Sequence, residues 1–178
     1  MKINFDQIML DLETLDNRPT AVIRSIGAVR FSRGGGLGEE FYVRVDPQSC
    51  LDAGLTLGIE TVQWWMKQGE AARLEMCKPG LPLGEALDRF CTWVGNDPVD
   101  GLWGNGAAFD NAILSNAYAA IRRAQPWKFW SDRCYRTIKA AAPSVAMPRA
   151  GTHHNALDDA KSQAQHLLNI WAAQGGAR

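Results

Sequence analysis

Four acidic residues and one histidine stand at spacings that suit chemistry. Asp11 and Glu13 lie two apart in Gln7-Ile8-Met9-Leu10-Asp11-Leu12-Glu13-Thr14, a short apolar run that turns acidic at its end. In a strand, residues two apart project from one face. Two carboxylates held side by side repel unless a cation sits between them. A solvated strand end is the competing account of an isolated Asp-x-Glu. Asp110 is set differently: at helical spacing its neighbours are Ile113, Leu114, Ala117 and Ile121. That puts a carboxylate at the centre of an apolar stripe, where an unpaired charge is expensive. A helix N-terminus stabilises an acid by roughly 0.3–1 kcal/mol, but this does not explain why the acid faces inward. A bound metal does.

The third element is Thr152-His153-His154-Asn155-Ala156-Leu157-Asp158-Asp159, at the entrance to the last helix. His153 and His154 each precede an acid by five positions, Asp158 and Asp159, so spacing does not choose between the two pairs. Helix geometry does. At about 100° per residue, Asp158 shares a face with Ser162, Gln165 and Asn169, the polar side. Asp159 lies beside Ala156, Gln163 and Ile170, at the edge of the apolar side. With Asn155 as N-cap, Asp158 takes the third helical position and has an ordinary capping role. The expected working pair is therefore His154 and Asp159.

These residues need elements to hold them. Gln7 to Thr14 reads as a strand, Val22 to Phe31 as a second, and Glu40 to Val45 as a third after the Gly34–Gly38 turn, together an antiparallel meander. From about Glu60 the pattern is helical. Thr61 to Gln68 carries Trp64, Trp65 and Met66, and Leu83 to Val94 puts Leu87, Phe90, Cys91 and Val94 on one face. Leu102-Trp103 reads as a short buried strand, Ala107 to Arg123 as a helix and Lys128 to Ser131 as another short strand. Arg133 to Ala141 reads as a helix stopped near Pro143, and Ala156 to Ala173 as a last amphipathic helix. The order is mixed α/β, with helices over a central sheet. No repeat or linker divides residues 1–178, so one domain is expected.

Composition narrows the function. Nineteen Lys plus Arg balance nineteen Asp plus Glu, which argues against a protein that coats duplex DNA by charge alone. A nuclease is not excluded, since bound divalent cations supply positive charge locally. No apolar run reaches the roughly 18 residues needed to span a bilayer. The opening Met1-Lys2-Ile3-Asn4-Phe5-Asp6 turns acidic before a signal-peptide core can form, so a cytoplasmic location is expected. The four cysteines (Cys50, Cys77, Cys91, Cys134) form no Cys-x-x-Cys pair. Thiols without a zinc site are expected, with Cys91 as a small buried hydrophobe.

Asp11-Leu12-Glu13-Thr14, Asn105-Gly106-Ala107-Ala108-Phe109-Asp110 and His154-Asn155-Ala156-Leu157-Asp158-Asp159 together resemble the three motifs of the DEDDh exonucleases. That superfamily includes polymerase proofreading subunits, RNase T and oligoribonuclease. The motifs come in the family's order and span nearly the whole chain. Asn17 to Val29 and the Trp64-Trp65 helix resemble a phage and bacterial branch labelled exonuclease VIII-like or 3′→5′ exoribonuclease. The resemblance implies an RNase H-like fold, with a central mixed five-stranded sheet of meander plus parallel strands flanked by helices. It also implies two-metal hydrolysis of single-stranded DNA or RNA from the 3′ end, giving nucleoside 5′-monophosphates. Asp11, Glu13, Asp110 and Asp159 would hold two Mg²⁺ or Mn²⁺ ions, and His154 would be general base. Thr14, Leu15, Asn105 and Phe109 would contact substrate, and a homodimer is implied.

Of the adjacent tryptophans, one is expected in the core and the other, Trp64, as a base-stacking platform. Arg133, Arg136 and Lys139 are read as a solvated helix face, with a phosphate-facing strip as the alternative. Two rival functions share the fold, an RNase H-like endonuclease and an inactive nucleic-acid-binding module. The His-x-x-x-x-Asp element argues against the first, and the full set of ligands against the second.

Overall fold

The computed structural model describes residues 5–149, 151 and 153–175. Thr152, at the head of the third motif, and residues 1–4 of the opening peptide lie outside the described residues. Five strands form one sheet: β1 (Gln7–Thr14), β2 (Ile23–Ser32), β3 (Gly36–Arg44), β4 (Gly101–Gly104) and β5 (Asp132–Cys134), in the spatial order β3-β2-β1-β4-β5. The first three pair antiparallel, whereas β1 with β4 and β4 with β5 pair parallel. This is the expected meander plus parallel strands, an RNase H-like arrangement. Seven α-helices accompany it among the described residues: α1 (Pro47–Asp52), α2 (Ile59–Met66), α3 (Glu70–Cys77), α4 (Leu83–Val94), α5 (Asp110–Ala120), α6 (Tyr135–Ala140) and α7 (Ala156–Gly175).

Period-two alternation along β1 sorts its side chains between two cores. Ile8, Leu10 and Leu12 join Leu87 and Phe90 of α4 and Ile113 and Leu114 of α5. Met9 joins Val29, Phe31, Tyr135 of α6 and Ala160, Ala164 and Leu167 of α7. Helices thus cover both faces of the sheet, and each large apolar side chain so buried contributes about 1.5–3 kcal/mol. Asp11 and Glu13 share the parity of Met9, so they lie on the α7 face. All ten residues of β2 are buried, including Arg24 and Arg30. Their guanidinium groups donate to main-chain carbonyls, Arg30 to Phe5 (2.9 Å) and Val94 (2.6 Å) and Arg24 to Met76 (2.7 Å).

Several expectations change. Lys128–Ser131 is not a strand; Phe129–Ser131 is a 3₁₀ turn and the strand follows at Asp132. Phe129 and Trp130 supply strand-like residues there, but they are solvent-exposed and the parallel partner of Leu102 is Asp132. α5 begins at Asp110 rather than Ala107, because residues 105–109 turn around Gly106 at φ 127°. Helices α1 and α3 have no counterpart in the sequence reading. Cys91 is exposed rather than buried, because Leu83, Ala86, Leu87, Phe90 and Val94 set the buried face of α4 and leave it on the rim. Cys50 is the cysteine in the core.

Candidate active site

The site forms at the carboxyl ends of β1 and β4, where the parallel pair leaves room for a cleft beneath α7. Three close approaches make it. A Cβ on Gly27, which faces Asp11 across the β1–β2 ladder, would lie 2.1 Å from the main-chain carbon of Ala156. Only a glycine there lets the start of α7 rest on the sheet. A Cβ on Gly104 would meet Asp110 Cβ at 2.9 Å, so the start of α5 also sits close to the end of β4. At Gly151, φ is 69° and a Cβ would lie 2.1 Å from the Asp158 carboxylate, which packs the loop against the first turn of α7.

A cleft of about 280 Å³ results, lined by Asp11, Glu13, Asp110, Asp159, His153 and His154 among others. Ligand atoms of Glu13, His154 and Asp159 all lie within 4.8 Å of one another. Asp110 is buried, and its Oδ1 accepts the Leu12 main-chain N–H at 3.2 Å, which ties α5 to the middle of the β1 acidic pair. Gln163 Nε2 donates to Asp11 Oδ1 at 2.7 Å. Asp159 Oδ2 accepts the His154 N–H at 3.0 Å and Oδ1 accepts from Arg149 at 3.0 Å. Asn155 caps α7 by accepting from Leu157 (3.1 Å) and Asp158 (3.2 Å), as the sequence anticipates.

The electrostatics are those of acids crowded together. Burial, and then Asp110, Glu13 and Asp159, hold the Asp11 carboxyl well above its ordinary range, against the Gln163 bond. Burial, Asp159 and Asp110 push Glu13 up to about 8. Burial lifts Asp110 to about 7, although the Leu12 N–H, other main-chain N–H groups and Arg136 oppose it. Burial and then His153 lower the His154 pKa, with Asp159 opposing and Arg149 adding to the drop. Carboxylates gathered this closely, with an imidazole at their edge, are a donor set suited to a hard divalent cation. The residues fit such an ion.

His154 is held in an unusual pose. Its φ is 61°, in the left-handed region that side chains rarely adopt. Its ring stands edge-on to Trp64 (5.0 Å), Trp65 (5.8 Å) and His153 (3.9 Å between centroids). Trp65 is buried and donates to the Thr14 carbonyl at 2.8 Å, whereas Trp64 is 43% exposed beside His154. The adjacent pair thus divides as expected, one ring inside and one out.

The other candidates scatter. Asn105 and Phe109 line the cleft, Phe109 also packing against the core. Thr14 and Leu15 do not line it; Thr14 is buried and its hydroxyl donates to the Asp16 carbonyl at 2.7 Å. Arg136 and Lys139 do line the cleft rather than forming a merely solvated face. Arg133 donates to the carbonyls of Trp130 (2.6 Å) and Asp100 (3.2 Å). Sequence reasoning missed Gln163 and Arg149. Gln163 was findable, one turn beyond Asp159 on the same edge of α7.

The family model described as the Rv2179c-like 3′-5′ exoribonuclease domain matches residues 6–171. No curated protein compared with the chain matches it. Among solved structures, E. coli exonuclease I in complex with a dA16 oligonucleotide superposes with a TM-score of 0.68 at 14% identity, over 93% of this chain and 40% of that one. The chain therefore spans about 40% of the length of exonuclease I. The nuclease domain of 3′hExo, a DEDDh family member bound to rAMP, gives 0.65 at 14% identity, over 95% and 93%. Exonuclease X in complex with 5′ overhanging duplex DNA gives 0.60 at 16% identity, over 95% and 93%. Identities this low speak for the fold.

Proposed function

Since the chain belongs to the Rv2179c-like 3′-5′ exoribonuclease domain family, we propose that its cleft removes nucleotides from the 3′ end of single-stranded RNA, with His154 as general base. Its family makes it a 3′-5′ exonuclease. The observation that carries the finer reading is the convergence of Glu13, His154 and Asp159 ligand atoms within 4.8 Å, beside Asp11 and Asp110.

Asp11, Glu13, Asp110 and Asp159 would hold two Mg²⁺ or Mn²⁺ ions, whose charge stabilises the attacking and leaving oxygens of phosphodiester hydrolysis. The chain's own residues do the rest. His154 with a lowered pKa presents a neutral imidazole near pH 7, the form that takes a proton from the attacking water. The tryptophan edges and the Asp159 bond fix its ring and main chain, so little reorganisation remains. Gln163 holds the Asp11 carboxylate from the helix side. Asn105 and Phe109 line the cleft and would contact the terminal nucleotide. Trp64 offers a stacking surface at its edge. The products would be nucleoside 5′-monophosphates.

The test uses 5′-labelled single strands of RNA and DNA with matched sequence, in Mg²⁺ or Mn²⁺ and in chelator. The expected result is stepwise shortening of RNA from the 3′ end that stops in chelator and on a 3′-phosphate. Rapid opening of a circular single strand would instead support an internal cut. Faster digestion of DNA would reverse the assignment of substrate while keeping the chemistry.

A further inference from the structure

Arg149 meets Asp159 in a way the mechanism above does not use. Its Nη1 donates to Asp159 Oδ1 at 3.0 Å. The Asp159 side chain is 14% exposed and the Arg149 side chain 54%, so the acid is fixed and the cation reaches it from the solvent side. The same carboxylate contributes an oxygen within 4.8 Å of ligand atoms from Glu13 and His154. Two cations, a guanidinium and a divalent ion, thus compete for one acid. Solvent-facing ion pairs are weak and yield to a stronger partner.

The cleft is also divided by charge. Its acids come from β1, α5 and α7, while Arg136 and Lys139 of α6 and Arg149 of the loop before α7 bring cations to the same space. Arg136 already donates to the Asn105 carbonyl and lies over Gly106, within 3.3 Å of where a Cβ would be. Arg149 is held by an acid that a metal ion would claim. Released, its fork of donors suits a phosphate oxygen.

We propose that Arg149 exchanges partners, holding Asp159 in the ion-free protein and, once a divalent ion claims that carboxylate, binding a phosphate of the strand in the cleft. It is a positioning residue that makes occupation of the metal site and capture of phosphate one event. This rests on the reading of the acidic cluster as a metal site. The experiment measures Mn²⁺ binding without nucleic acid, by paramagnetic resonance of the free ion, in the wild type, Arg149→Gln and Arg149→Lys. Binding of adenosine 5′-monophosphate and of adenosine is then measured in Ca²⁺.

Arg149→Gln should bind Mn²⁺ about two- to fivefold more tightly, the range of an exposed ion pair. It should bind adenosine 5′-monophosphate about tenfold more weakly, as for loss of a charged hydrogen bond, with adenosine unchanged. Arg149→Lys should fall between. Mn²⁺ affinity that stays equal or falls in Arg149→Gln, or a loss shared equally by adenosine, overturns the exchange while leaving the metal site standing. A wild type that binds no Mn²⁺ overturns both.

Discussion

Asp158 and Asp159 are neighbours in sequence with different surroundings. Asp159 meets His154 and Arg149 in the cleft, whereas the Asp158 carboxylate sits against Gly151 and its main-chain N–H donates to the capping Asn155 side chain. Asp159→Ala and His154→Ala should each lower the rate at least about a hundredfold, as loss of a metal ligand or general base does. Asp158→Ala should cost roughly 0.5–2 kcal/mol of stability and keep most activity. Steady-state rates and denaturant melts of the variants check this, and an inactive but stable Asp158→Ala would contradict it. The raised carboxyls predict a pH dependence. A carboxyl whose folded pKa lies above its unfolded value adds stability that is fully present below the ordinary carboxylate range and is lost as pH rises through the folded pKa. For Asp110 that passage is near 7 and for Glu13 near 8. In chelator, thermal melting should therefore fall as pH rises from about 5 to 9, and Mn²⁺ should reverse the fall. Asp11→Asn should raise the ion-free melting temperature by at least about 2–4 °C, the shift that 1 kcal/mol gives in a domain this size. A flat profile in both proteins would remove the account of repulsion. Asp11, Glu13 and Asp110 are legible in sequence because strand parity and an apolar stripe make their placement abnormal. Arg149 is not, because a loop arginine reads as solvated until the fold brings an acid to it.

The element that completes the site is α7, and Gly27 is what admits it. A methyl at Gly27 would collide with main chain at Ala156 and Leu157, which cannot rotate away as a side chain can. Gly27→Ala should destabilise the protein by about 1–3 kcal/mol through overpacking. It should also lower activity by moving Asp159 and His154 off the β1 acids. Gly34→Ala, where a Cβ meets nothing within 4 Å, should change stability by less than about 0.5 kcal/mol. Equal effects at the two glycines, read by denaturant midpoints, would dismiss the close approach. The strands of the meander and helices α4, α5 and α7 were readable from their periods. The need for glycine at position 27 was not, since nothing local marks a residue that must clear a helix about 130 positions onward. β5 escaped for a related reason: a strand of three residues is defined by its partner β4 rather than by its own pattern.

Across the whole molecule, equal numbers of acidic and basic residues leave no net charge to draw in a polyanion. Affinity for a strand should therefore depend on what fills the acidic end of the cleft. A fluorescent single-stranded oligonucleotide should bind at least about tenfold more tightly in Ca²⁺ than in chelator at equal ionic strength, since local charge then changes sign. Equal affinity in the two would place strand binding elsewhere on the surface. Among the described residues no helix is long and apolar enough to cross a membrane. The bond from Gln163 to Asp11 spans 152 positions of chain, and this has a consequence for synthesis. A ribosome extends a chain at about 5–20 residues per second, and the early part folds first. The meander and its acids Asp11 and Glu13 are thus made many seconds before Asp159 exists. Through that interval the growing chain holds Asp11 and Glu13 with neither His154 nor Asp159 to face them.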